Sequence, residues 1–160
     1  MSKRWFERYR LKDTLTERDD GQALVELALV MPFLFLVLLG AVEFSNLVYA
    51  GIEVSNSARA AVQYGAMNGG NTTDVNGMLA AAQNDSPNLG TNVAFTSGYP
   101  TVSYGCSDGS TYNATTYCRS AYVYATLSVK MQTKFSPIVQ LPGFGPSFTL
   151  YGYAQELVLQ

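Results

Sequence analysis

Gly21-Gln22-Ala23-Leu24-Val25-Glu26-Leu27-Ala28-Leu29-Val30-Met31-Pro32-Phe33-Leu34-Phe35-Leu36-Val37-Leu38-Leu39-Gly40-Ala41-Val42 is the stretch that decides how this chain is organised. Apart from Glu26, residues 23–42 are apolar. Twenty residues rising about 1.5 Å each span roughly 30 Å, the thickness of the hydrocarbon core of a bilayer. A buried core helix is the competing reading, but the polar remainder of this chain could hardly wrap it. The stretch therefore reads as a membrane span.

The flanks orient it. Lys3, Arg4, Arg8, Arg10, Lys12 and Arg18 precede the span, six of the ten Lys and Arg residues in the chain. Only Arg59 follows soon after. The bias of basic residues toward the cytoplasmic side places the N-terminus inside and exports the remainder. Two cysteines, Cys106 and Cys118, fall on the exported side, where an oxidising compartment favours one disulfide.

Helical periodicity continues past the span. Phe44, Leu47, Val48, Gly51, Val54, Ala58, Ala61, Val62 and Gly65 recur at steps of three and four, with Asn46, Glu53, Asn56 and Gln63 largely on the other side. Pro32 removes one backbone hydrogen bond and invites a kink. Asn68-Gly69-Gly70-Asn71 is a strong stop, so one helix over residues 22–67 is expected. Ser57, Ala61 and Gly65 make a stripe of small residues that admits another backbone. That neighbour is either a partner helix or the chain's own sheet.

Beyond the stop, a short helix is expected from Thr73-Asp74-Val75 to Gln83, capped by Thr72 or Thr73. Weak strands are expected at Val93–Thr96 and Thr101–Tyr104. The strongest covers Ala121–Phe135, where Ala125, Leu127, Val129 and Met131 alternate with polar residues. A last strand over Ser147–Leu159 follows the turn-rich Pro142-Gly143-Phe144-Gly145-Pro146. The economical arrangement is α+β: an antiparallel sheet packed on the outer half of the long helix.

Composition narrows the function. The 160 residues carry a formal charge of −2 and no histidine. Nucleic-acid binding through phosphate contacts is disfavoured, and histidine-based catalysis and most zinc sites are removed. Gly105-Cys106-Ser107-Asp108-Gly109 matches a nucleophile-elbow pattern, but without a histidine base it reads as loop. The expectation is a protein that is not an enzyme, with no catalytic, cofactor-binding or metal residues and no cofactor.

Glu26 is the informative residue, because a carboxylate at the edge of hydrocarbon is expensive unless it has a task. It stands five residues after Gly21, directly before the apolar run. This spacing resembles the type IV prepilin signature, in which a cytoplasm-facing peptidase cuts after the glycine. With Gly40-Ala41-Val42-Glu43-Phe44 and Val54-Ser55-Asn56-Ser57-Ala58-Arg59-Ala60-Ala61, the segment resembles TadE-like proteins, minor pilins (pseudopilins) of the Tad tight-adherence pilus. Pro137-Ile138-Val139-Gln140-Leu141-Pro142-Gly143 extends the likeness loosely. Asp19-Asp20 stand where prepilin leaders more usually carry a basic residue.

The resemblance implies a type IV pilin-like fold. Residues 1–21 would be a cytoplasmic prepilin leader, 22–42 the transmembrane half of the helix, 43–67 its extracytoplasmic half and 68–160 an extracytoplasmic α+β head. It implies cleavage between Gly21 and Gln22, and a positive α-amino group on Gln22 that Glu26 neutralises between packed subunits, setting their register. The implied partners are a prepilin peptidase, other pilins, membrane assembly-platform proteins and the membrane, with a host or abiotic surface beyond. The implied location is the bacterial inner membrane, with incorporation into an extracellular pilus.

Two other readings compete. A secretory signal peptide would be cut after Val48-Tyr49-Ala50, although its core is longer than the usual ~7–15 residues. A single-pass anchor carrying a binding or sensor domain that never polymerises is the other. Finally, Tyr99, Tyr104, Tyr112, Tyr117, Tyr122 and Tyr124 crowd together and suit contact with proteins or sugars.

Overall fold

The computed structural model describes residues 3–115, 118, 121–139 and 145–158, with side chains described from residue 21 onward. Tyr117 and the Gln140–Phe144 part of the late turn lie outside the described residues. Two compact units are present, Met1–Phe44 and Ser45–Gln160.

Helix α1 runs over Lys3–Ala66, so the backbone is helical well before the expected start at residue 22. The reason is local. Lys, Arg, Glu and Leu dominate the leader, and a lone interior glycine such as Gly21 costs a helix only about 1 kcal/mol. Pro32 lies inside it.

In the second unit, α1 supplies the spine of the core. Val54, Ala58, Ala61 and Val62 pack with Met78 and Ala82 of α2 and with Leu127, Val129 and Met131 of the sheet. The expected apolar face is buried from Val54 onward, whereas Phe44 and Val48 stay 67% and 45% exposed. Helix α2 covers Val75–Asp85. Its cap is Asp74 rather than Thr72 or Thr73: the Asp74 carboxylate accepts from the Gly77 N–H at 2.9 Å. The threonines are taken up by a 3-10 turn, Asn71–Thr73, that brings the chain round to Asp74.

Four strands form one antiparallel sheet: β1 Ala94–Phe95, β2 Thr101–Cys106, β3 Val123–Phe135 and β4 Phe148–Leu157. β3 is the centre. β4 pairs with it from Thr126↔Leu157 to Phe135↔Phe148, while β2 and then β1 pair along its other edge. Alternation along β3 turns Ala125, Leu127, Val129 and Met131 inward, all buried, as the sequence pattern required. The fold is α+β, with a long N-terminal apolar helix, a short second helix and a small antiparallel sheet.

Candidate functional site: the exposed apolar helix and its first turns

From Gly21 to Val42 every residue of α1 is exposed. Leu29, Phe33 and Leu36 are 76%, 67% and 63% exposed. The helix is long and apolar enough to cross a membrane. In lipid its hydrocarbon surface is satisfied without protein.

At its start, Gly21 has open space on every side. One turn on, the Gln22 amide donates to a Glu26 carboxylate oxygen at 3.3 Å, the i,i+4 placement that helical pitch dictates. Gly21, Gln22 and Glu26 are thus brought together on one exposed segment. Val48-Tyr49-Ala50, where a signal peptidase would have to cut, lies inside α1 with Ala50 buried.

Ser57, Ala61 and Gly65 lie in the second unit. Ser57 and Ala61 are fully buried, and a Cβ on Gly65 would strike the side chains of Leu127 and Met78. The structure therefore lays this stripe on the chain's own sheet and α2.

Residues 21–63 match the model of the family described as TadE-like protein. The likeness covers 43 of the 160 residues. No curated protein and no solved structure matches the chain. The TadE-like match covers the exposed apolar helix together with Val54, Ala58 and Ala61, the positions where α1 begins to carry the core. The apolar first half of the segment fits attachment to a membrane.

Inside the TadE-like segment, sequence patterning misplaced one residue. Glu53, expected on the polar side, is only 6% exposed. One of its oxygens accepts from the Asn88 side-chain amide at 2.5 Å, and that amide also reaches the Tyr49 hydroxyl at 3.1 Å. The other oxygen has no hydrogen-bond partner among the described residues. Asn88 lies 35 positions further along the chain, and helical spacing contains no signal for it. Arg59, by contrast, is exposed.

Outside the segment, Cys106 and Cys118 form a disulfide with Cα atoms 5.6 Å apart. The Gly105–Gly109 stretch is the end of β2 and a turn, stabilised where Asp108 accepts from the Ser110 N–H and hydroxyl. The hydroxyl and then the amide of Ser110 hold the Asp108 carboxyl below its ordinary range. Among the described residues no His/Cys/Asp/Glu group is placed to hold a metal ion. The tyrosines separate: Tyr104 packs on Tyr112 at 5.2 Å, while Tyr99 stands edge-on to Tyr153, which the sequence reading did not single out.

Proposed function

We propose that this chain is a minor pilin, or pseudopilin, that acts in Tad-type pilus assembly or tip initiation and hence in surface adhesion. The observation that carries the reading is the TadE-like match over a helix whose first half, residues 21–42, is apolar and exposed throughout. A prepilin peptidase would cut after Gly21 and leave a positive α-amino group on Gln22. Glu26, one turn away, would then be the opposite charge available inside a bundle of apolar helices. Opposite charges attract strongly in a low-dielectric surround, and two unpaired ones are costly, so subunits would settle at the register that pairs them.

In this reading the basic leader stays in the cytoplasm and the disulfide-bearing head is exported. The exposed surface of residues 22–42 would be the packing surface for lipid before assembly and for other pilins and the assembly platform afterwards. Neighbours would meet α1 on its free side, because the Ser57, Ala61 and Gly65 stripe already carries the chain's own core.

The deciding experiment is the intact mass and N-terminal residue of the protein taken from its native membrane. A chain beginning at Gln22 upholds the reading, and one beginning at Met1 overturns the processing step. Glu26→Ala separates a pilin from a plain anchor: a pilin variant stays in the membrane but is lost from pili, whereas an anchored binding domain is unchanged.

A further inference from the structure

The sheet has a second face, turned away from α1. Gly152, Ala154 and Leu150 of β4 lie on the core side, so their neighbours Tyr151 and Tyr153 stand on the outer one. Both rings are more than half exposed, at 53% and 56%. Tyr99 supports Tyr153 edge-on at 6.3 Å, and Lys130 holds its ammonium 4.7 Å over the Tyr151 ring. Each ring thus has a neighbour that orients it and is still more than half exposed.

Charge separates sharply across this sheet. Lys130 and Lys134 both alternate with inward residues of β3 and so share the outer face. The single carboxylate in the described strands, Glu156, is registered opposite the core residue Leu127 and belongs to the other face. Among the described strands, then, the charge on this face is positive, in a chain of net charge −2. Between Lys130 and Tyr124, roughly 20 Å along the strand, the outer positions of β3 are Ser128, half-buried, and Thr126, which its neighbours bury. Tyr124 itself lies flat across β2, in the room left by Gly105: a Cβ there would meet its hydroxyl at 2.6 Å.

We propose that this outer face binds an acidic polysaccharide, one bearing uronate groups. Stacked C–H faces of sugar rings match the exposed tyrosine faces, the half-buried Ser128 hydroxyl between them matches a sugar hydroxyl, and the two lysines match the carboxylates. The site goes beyond the assembly reading and does not depend on it, since sugar binding and incorporation into pili are measured separately.

The test titrates the full-length chain in detergent micelles with polygalacturonate oligomers and, in parallel, with dextran oligomers of the same length. Saturable binding to polygalacturonate, at least tenfold tighter than to dextran and weakened by salt, is expected. Y151A/Y153A should weaken it tenfold or more, and K130Q at least threefold. Should the double variant fail to fold, K130Q alone decides. The proposal is overturned by absence of saturable binding, by equal affinity for the two polymers, or by variants that bind as the parent does. It is also overturned if these substitutions change only self-association, which would assign the face to a second copy of the chain.

Discussion

Gly152 of β4 lies directly against the backbone carbonyl of Val54: a Cβ at that position would fall on the carbonyl group itself. The sheet approaches α1 this closely because β4 has no side chain there. A backbone carbonyl in mid-helix cannot rotate away, so Gly152→Ala is expected to cost about 3 kcal/mol, the upper range for overpacking. The midpoint of thermal or denaturant unfolding of the full-length chain checks it.

Gly65 also sits close to neighbours, but these are the side chains of Leu127 and Met78, with the Met78 sulfur 2.7 Å from a built Cβ. Side chains can shift rotamer, and alanine raises helix propensity by about 1 kcal/mol over glycine. Gly65→Ala should therefore cost at least about 1 kcal/mol less than Gly152→Ala. Equal losses in the same unfolding assay would show that the Gly65 contact is as rigid as the Gly152 one.

Glu53 rests on a single amide. Asn88→Ala removes the donor and leaves a buried carboxylate oxygen without its partner, an expected loss of about 1–3 kcal/mol. In the Glu53→Gln background the same substitution should cost less, because a neutral amide is cheaper to leave unpaired. A double-mutant cycle reads the coupling directly.

The disulfide between Cys106 and Cys118 closes a loop rich in Gly, Ser, Thr and Tyr. Such a loop has little apolar surface to order it, so the bond acts chiefly on the unfolded chain. Reduction, or the Cys106→Ser/Cys118→Ser pair, should lower stability by about 2–3 kcal/mol. Unfolding with and without reductant measures it.

Acid should loosen the cap of α2. The Gly77 N–H, and after it the Tyr64 hydroxyl at 2.9 Å, hold the Asp74 carboxyl below its ordinary value of 3.8. A folded-state value below the unfolded one contributes stability that is present above the unfolded value. It is lost as pH falls through the folded one, so the loss begins below about pH 4. Asp74→Asn should remove this limb of the stability–pH curve, and unfolding midpoints between pH 2 and 7 would reveal it.

Much of this architecture was legible in the residues alone. Twenty residues behind a basic leader, apolar but for Glu26, define a membrane-spanning length, because only distance and solvation are involved. The period-two alternation of β3 announced its buried face for the same reason: Ala125, Leu127, Val129 and Met131 follow from strand geometry. The spacing of Gly21 and Glu26 is likewise a property of one helix.

Relationships between distant segments were not legible. Asn88 beneath Glu53, Gly152 against Val54 and Tyr99 against Tyr153 join positions 35, 98 and 54 residues apart. Local periodicity says which side of an element is apolar, but not which neighbour arrives there. Hence Glu53 looked like a solvent-facing acid until a loop amide covered it. The small-residue stripe of Ser57, Ala61 and Gly65 could equally have served a partner helix until β3 and α2 occupied it. Sequence by itself determined the elements and their apolar faces, through spacing and solvation. Only the tertiary structure decided which faces were already spent on the chain's own core, because that depends on where the sheet closes against the helix.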